Sequence, residues 1–180
     1  MNKLFSKDLY RYYGESGESF FRRLLRPVEL KYIALYRKAN TARFKPLKLY
    51  YTVKLKLMSY KTHIQIPAAT KIGEGFYIGH SGRVIIHPEA VIGKNVNVGT
   101  GVTIGYENRG ERKGAPTLEG NCWVGTNSVI VGNVKIGEDV LIAPLTFVNF
   151  DVPAHSIVIG NPAKVIEKEN ATKYYIQNKI

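Results

Sequence analysis

Between Ile64 and Ile166 the chain repeats itself every six residues. Three runs carry the repeat: Ile66, Ile72, Ile78, Val84; then Ile86, Ile92, Val98, Ile104; then Leu118, Val124, Ile130, Ile136, Ile142, Val148. None of these 14 positions is polar, so chance and an ordinary sandwich are poor explanations. Glycine often follows the aliphatic residue, as at Gly73, Gly79, Gly93, Gly99, Gly105, Gly125 and Gly137. The fifth position is often small or β-branched: Thr70, Ala90, Val96, Val102, Ser128, Val134, Val140, Thr146. A period of six fits neither the 3.6 of a helix nor the 2 of a lone strand. It predicts short strands joined by turns, coiled into a prism whose interior takes the aliphatic residue. One coil cannot bury its own face, so the core forms by stacking.

The register slips twice. Val84 to Ile86 adds two residues, and Ile104 to Leu118 spans two hexads plus two. The second slip is polar, charged and glycine-rich, and predicts an ejected loop over 106–117. Loops on a rigid scaffold are where recognition is usually found.

Residues 1–62 follow another grammar. Phe20, Phe21, Leu24 and Leu25, after Ser16–Ser19, suit one face of a helix. Pro27 opens a second segment with Leu30, Tyr32, Ile33, Leu35 and Tyr36. Pro46 begins a third, where Leu47, Leu49, Tyr50, Val53, Leu57 and Met58 form an apolar stripe, although Tyr51-Thr52-Val53 would also suit a strand. The expected organisation is a basic helical region 1–62, a β-helix domain 63–166 and a tail 167–180.

The net charge of +12 belongs to the first part. Residues 1–62 hold 15 Lys and Arg against 4 Asp and Glu; residues 63–180 hold 11 against 10. Such a segment suits a nucleic acid, an anionic membrane or water. No nucleic-acid recognition motif accompanies the charge, so no nucleic-acid partner is expected. Apolar runs fall short of the ~20 residues of a membrane span, and Met1–Tyr10 lacks the features of a secretion signal. A single cysteine, Cys122, excludes an intrachain disulfide and fits a reducing cytoplasm. Cys122 reads as a small core residue of a tight hexad. Four histidines and one cysteine form no metal-ligand spacing, so no metal is expected. Taken alone, a histidine in a turn, such as His80 beside Gly79, Ser81 and Gly82, reads as structural or incidental.

The stretch Ile64–Ile166 resembles the hexapeptide-repeat acyltransferases, within them the serine acetyltransferase branch. The motifs are Gly75-Phe-Tyr-Ile-Gly-His80, Val98-Gly-Thr-Gly-Val-Thr-Ile-Gly105, Gly132-Asn-Val-Lys-Ile-Gly137, and Val152-Pro-Ala-His-Ser156 with Gly160-Asn-Pro-Ala-Lys164. The resemblance implies a left-handed parallel β-helix with a shortened N-terminal helical region. It implies a homotrimer that takes acetyl-CoA in the grooves between neighbouring β-helices. The family's catalytic histidine falls on His80, with His87 second; His63 and His155 are incidental. Lys164 falls where members place a basic residue near the CoA phosphates. Gly125, Thr126, Ala143, Pro144, Gly160 and Pro162 match positions along the cofactor groove. Acetyl transfer from a thioester to an alcohol needs a base for the hydroxyl proton, a task suited to imidazole. It also needs donors for the tetrahedral oxyanion, which backbone N–H groups in glycine-rich turns can supply.

The acceptor is read from departures. Members of the serine acetyltransferase branch carry an aspartate before the catalytic histidine, where this chain has Gly79, and another near Ile64 and Gln65. Their loop has Asp-Arg-His-Pro; here it reads Glu111-Arg-Lys-Gly-Ala-Pro116, with Arg112 the candidate to keep the arginine role. An ammonium group without a carboxylate is costly in a dry site. The expectation is therefore a sugar hydroxyl, in capsule or exopolysaccharide synthesis, with Gln65, Glu89, Arg109 and Arg112 as acceptor-binding candidates. Gln65, Glu89 or a main-chain carbonyl would orient His80. The alternatives are serine O-acetylation for cysteine synthesis, favoured by the terminal Ile180, and a non-catalytic β-helix scaffold. A sugar acceptor linked to lipid would bring the protein to the inner face of the membrane. Tyr50, Tyr51 and Tyr60 among Lys45, Lys48, Lys54, Lys56 and Lys61 are candidates for that peripheral contact. A solvated basic face whose apolar stripe packs on the trimer is the competing reading.

Overall fold

The computed structural model of the chain describes residues 2–15 and 19–180. The Ser16–Glu18 part of the first helical motif lies outside the described residues. From Ile64 onward the backbone turns through five coils. They carry β1 (Ile64–Gln65), β2 (Lys71–Ile72) and β3 (Tyr77–Ile78); β4 (Val84–Ile86), β5 (Val91–Lys94) and β6 (Asn97–Val98); β7 (Thr103–Gly105), β8 (Thr117–Gly120) and β9 (Trp123–Val124). Then come β10 (Val129–Val131), β11 (Lys135–Ile136) and β12 (Val140–Ile142), and finally β13 (Phe147–Val148) and β14 (Ser156–Gly160). Stacking gives three parallel faces: β1-β4-β7-β10-β13, then β2-β5-β8-β11, then β3-β6-β9-β12-β14. β15 (Ala163–Glu167) returns antiparallel along β14. The architecture is a left-handed parallel β-helix.

All 14 aliphatic positions of the repeat are buried, and so are the eight fifth positions. Cys122 occupies a fifth position as well. It is fully buried, with its thiol pushed up to about 12 by burial. Gly93 shows why glycine follows the aliphatic residue: a Cβ there would lie 1.4 Å from the carbonyl oxygen of Glu119 in the next coil. The turn between second and third faces needs left-handed backbone in every coil. Gly75, Asn95, Asn121, Asp139 and His155 supply it.

The second register slip resolves differently from its arithmetic. Ile86 pairs with Ile104, 18 residues on, whereas Ile104 pairs with Ile130, 26 residues on. Eight residues are thus ejected between β7 and β8. The ejected loop is pinched where Glu107 and Gly114 exchange backbone hydrogen bonds of 2.9 and 3.0 Å.

The helical region is α1 (Lys3–Tyr13), α2 (Phe20–Leu24), α3 (Val28–Thr41) and α4 (Lys45–Thr62). Its task follows from the β-helix. The first coil has an open backbone edge, a liability in any sheet. Side chains from α1 and α3 close it. Tyr32 donates to the Ile66 carbonyl (3.2 Å) and accepts from the Ile66 N–H (3.0 Å). Tyr12 does the same for Ile78, at 2.8 and 3.1 Å. Tyr36 donates to the Thr70 carbonyl at 2.6 Å, and burial pushes its phenol up to about 12, which keeps it a donor. Arg37 reaches the carbonyls of Ile72 and Gly73, and Arg11 that of Gly75. Tyr32, Tyr36 and Asn40 stand four residues apart, so a single face of α3 meets the coil.

Arg37 and Asp8 are both fully buried and form a two-pronged pair, at 2.7 and 2.9 Å. Asp8 also accepts the Phe76 N–H at 2.9 Å. Burial pushes the Asp8 carboxyl up, against the opposing pull of Arg37. The pair therefore offers little net stability but is costly to break. Asp8→Ala should lose about 3–5 kcal/mol. In a chain of this size the melting temperature should fall by roughly 6–20 °C, as read by circular dichroism.

The tail runs along the turn between second and third faces. Asp139 accepts from the N–H groups of Ala171 and Thr172, both at 3.0 Å, and from the Thr172 hydroxyl at 2.6 Å. Ile180 exchanges hydrogen bonds with the Asn95 side chain, and Arg11 donates to the Gln177 carbonyl. His155 Nδ1 stands 3.1 Å from Asp139. That contact, with Glu169 nearby, raises the histidine above its ordinary 6.5. Burial opposes charge on Asp139, but its hydrogen bonds prevail and hold it below 3.8. The histidine's contribution is complete below 6.5 and is lost as pH rises through the raised value. The aspartate's contribution is complete above 3.8 and is lost as pH falls through the lowered one. The melting-temperature gap between wild type and His155→Ala should be widest near pH 5.5 and narrow as pH rises through the histidine's raised value.

Candidate active site

His80 lies in the turn that leads from the third face to the first. In the next three coils this turn spans six residues between inward aliphatics: Val98 to Ile104, Val124 to Ile130, Ile142 to Val148. In the first coil it spans eight, Ile78 to Ile86. The first register slip is therefore an enlargement of the turn that holds His80. Gly82 makes the enlargement feasible. Its φ is +137°, and a Cβ there would meet the Thr100 methyl at 2.6 Å. The turn is tied down by the next coil, where the Thr100 hydroxyl lies 3.5 Å from the carbonyls of His80 and Ser81. The imidazole itself is exposed.

The predicted cofactor residues occupy the same turn in higher coils. A backbone ladder aligns them: Gly79 donates to Val98 (3.0 Å), Gly99 to Val124, Gly125 to Ile142 and Ala143 to Val158 (2.8 Å each). Thr126 and Pro144 are exposed along this edge. At its far end Gly160 donates to the Thr146 hydroxyl at 3.1 Å, and Pro162 and Lys164 follow in the β14–β15 hairpin. Four coil steps of ~4.8 Å put the hairpin about 19 Å from His80. Gly125 is also demanded by packing alone, since a Cβ there would lie 2.5 Å from the Pro144 nitrogen.

The acceptor candidates lie elsewhere in the protomer. Glu89 sits with His87 in the turn between first and second faces, where the His87 ring packs 4.9 Å from that of Tyr106. Arg109 and Arg112 belong to the ejected loop on that same corner; Arg112 approaches Asp151 at 3.5 Å. Gln65 lines a cavity of about 390 Å³ between α4 and the first coil, with Leu55, Ser59, Pro67 and Ala68. Among the described residues no hydrogen bond joins His80 to Gln65 or Glu89. Nor does any group of three or more His, Cys, Asp or Glu among them offer a metal site. Two constellations escaped the sequence reading. One is the buried Arg11, which donates to Gly75, Asn97 and Gln177 beside Tyr12 and Tyr77. The other is the Asp139–His155 clasp. The local spacing of neither pair points to a partner so far along the chain.

A family model described as bacterial transferase hexapeptide (six repeats) matches residues 115–149. Serine acetyltransferase 2 of Arabidopsis thaliana is 35% identical over 126 residues, 64% of this chain and 39% of that protein. The serine acetyltransferase of Helicobacter pylori is 34% identical over 114 residues, 63% of this chain and 67% of that one. A solved structure of Neisseria gonorrhoeae serine acetyltransferase in complex with serine superposes with a TM-score of 0.69 at 26% identity, covering 91% of this chain and 66% of that one. The chain thus spans well under half the length of the Arabidopsis relative. These findings overturn the expectation of a sugar acceptor in polysaccharide synthesis and favour the serine alternative. The sugar argument rested on carboxylates missing at particular positions. Folded, the chain still presents exposed carboxylates, Glu89 and Glu111, on the corner that carries the loop. By sequence and by fold, the chain belongs to the hexapeptide-repeat transferases, in their serine acetyltransferase-like branch.

Proposed function

We propose that this chain transfers the acetyl group of acetyl-CoA to the hydroxyl of serine, as a homotrimer with His80 as general base. The observation that carries the reading is the place of His80: it sits in the one enlarged turn of its corner, at the foot of an exposed edge, in a chain 34% identical to a serine acetyltransferase. The edge is about 19 Å long, which suits an extended thioester arm. Its thiol end would lie toward His80 and its phosphates toward Lys164. Thr126, Ala143, Pro144, Gly160 and Pro162 line the path between.

The edge is a single wall. A second copy would supply the other, and with it the groove. The loop corner of that copy, with Glu89, Arg109 and Arg112, would then face the acceptor. In the reaction the serine oxygen attacks the thioester carbonyl while His80 takes the hydroxyl proton. Backbone N–H groups of the turn receive the oxyanion. As the tetrahedral species collapses, the carbon–sulfur bond breaks and the proton passes to the departing thiolate. No covalent enzyme intermediate is needed.

CoA release from acetyl-CoA by the purified protein, with L-serine as acceptor, tests this directly. Turnover should fall by about 10²–10⁴ in His80→Ala, with the far-ultraviolet spectrum unchanged. An undiminished rate in that variant would remove His80 from the reaction. An inert wild type that still binds CoA would remove serine as the acceptor.

A further inference from the structure

Helix α4 has two apolar faces. Tyr51, Leu55, Met58 and Thr62 turn inward, and Leu55 is buried. At 3.6 residues per turn, Leu49, Tyr50, Val53, Leu57 and Tyr60 share an arc of about 100° centred nearly opposite Leu55. These five are half to two-thirds exposed, from 49% at Tyr50 to 67% at Tyr60. The outer stripe is about 16 Å long. Lysines border it on both sides: Lys45 and Lys56 along one margin, Lys54 and Lys61 along the other. Lys54 bends back so that its ammonium stands 4.6 Å from the centre of the Tyr50 ring. Lys48 is a fifth, and the helix contains no acid.

We infer that this outer face of α4 rests on an anionic lipid bilayer. An apolar stripe with aromatic residues, edged by lysines, is built to sink into the headgroup boundary while the ammonium groups stay among phosphates. The helix is not apolar enough to cross a membrane, so it would lie along the surface. The charge selects this occupant over a second copy. Two such stripes face to face would bring eight bordering lysines together with no carboxylate from either helix. Elsewhere in residues 1–62, Arg11 and Arg37 are spent on the first coil, whereas Lys45, Lys54, Lys56 and Lys61 are exposed at the margins of the stripe. The inference does not depend on the acceptor or on His80.

The test is flotation of the full chain with vesicles of phosphatidylcholine alone or mixed with phosphatidylglycerol, alongside its solution mass. The protein should float with the anionic vesicles, not with the neutral ones, and be released by salt. Lys54→Gln/Lys61→Gln, on exposed margins, should weaken binding about tenfold or more. Val53→Glu/Leu57→Glu should abolish it with the oligomer mass unchanged, and a Leu57→Trp fluorophore should shift to the blue on anionic vesicles alone. Failure to float with anionic vesicles would overturn the inference. So would binding unaffected by Val53→Glu/Leu57→Glu, or a change of oligomer mass in that variant, which would assign the stripe to a contact between copies.

Discussion

The backbone ladder between coils governs this molecule. Every coil completes its hydrogen bonds on the coils above and below, so the stack is stable in its middle and incomplete at its ends. The interior is narrow, and an aliphatic residue with a small neighbour recurs through the coils, Phe76 in the first coil being the large exception at a fifth position. At the first coil there is no strand below. Helices α1 and α3 stand in for one, with tyrosine hydroxyls, two arginines and one aspartate satisfying the groups a strand would have met. The buried Asp8–Arg37 pair is a consequence of that substitution. A guanidinium is a rigid donor that can serve two carbonyls at once, but it then has to be buried, and it brings its carboxylate with it.

The same ladder makes the candidate site. Because equivalent turns stack at a fixed spacing, residues far apart in sequence line one edge: His80, Thr126, Pro144 and Lys164 fall in order along it. A rigid edge of this kind holds its side chains at set intervals, which favours a long ligand over a compact one. The departure at the foot of the edge is the two-residue enlargement around His80, held open by Gly82 and tied to Thr100. Gly99 and Gly125 along the edge are required by coil packing, so their presence speaks of the scaffold before it speaks of a ligand.

Charge divides into two uses that composition alone does not separate. Part of the basic excess of residues 1–62 is internal and structural, in Arg11 and Arg37; four of the α4 lysines border an exposed apolar stripe. Those two arrangements give the same net charge and opposite physical meaning. In the first the cation is desolvated and satisfied by carbonyls; in the second it is hydrated and free to meet an anionic surface.

The hexads alone determined the β-helix, its aliphatic interior and the core place of Cys122, because a six-residue period has few other physical solutions; they marked a break after Ile104, but its size of eight residues came from the pairing of the coils. Tertiary structure decided the rest. The first segment reads as an amphipathic helix, yet α2 spans only Phe20–Leu24 and leaves Phe21 and Leu24 exposed. Tyr32, Tyr36 and Arg37 read as helix residues; only their placement against an unpaired coil edge shows why they are polar at one end. His80 carried no signal of its own in composition or period, and His155 looked incidental until the turn of the last coil brought it to Asp139. Likewise Glu89 and Arg112 were candidates for the neighbourhood of His80, and the prism puts them on another corner. Period reports what repeats locally, and a stacked coil brings together residues a whole circuit or more apart, so contacts of that kind are fixed only when the coils close.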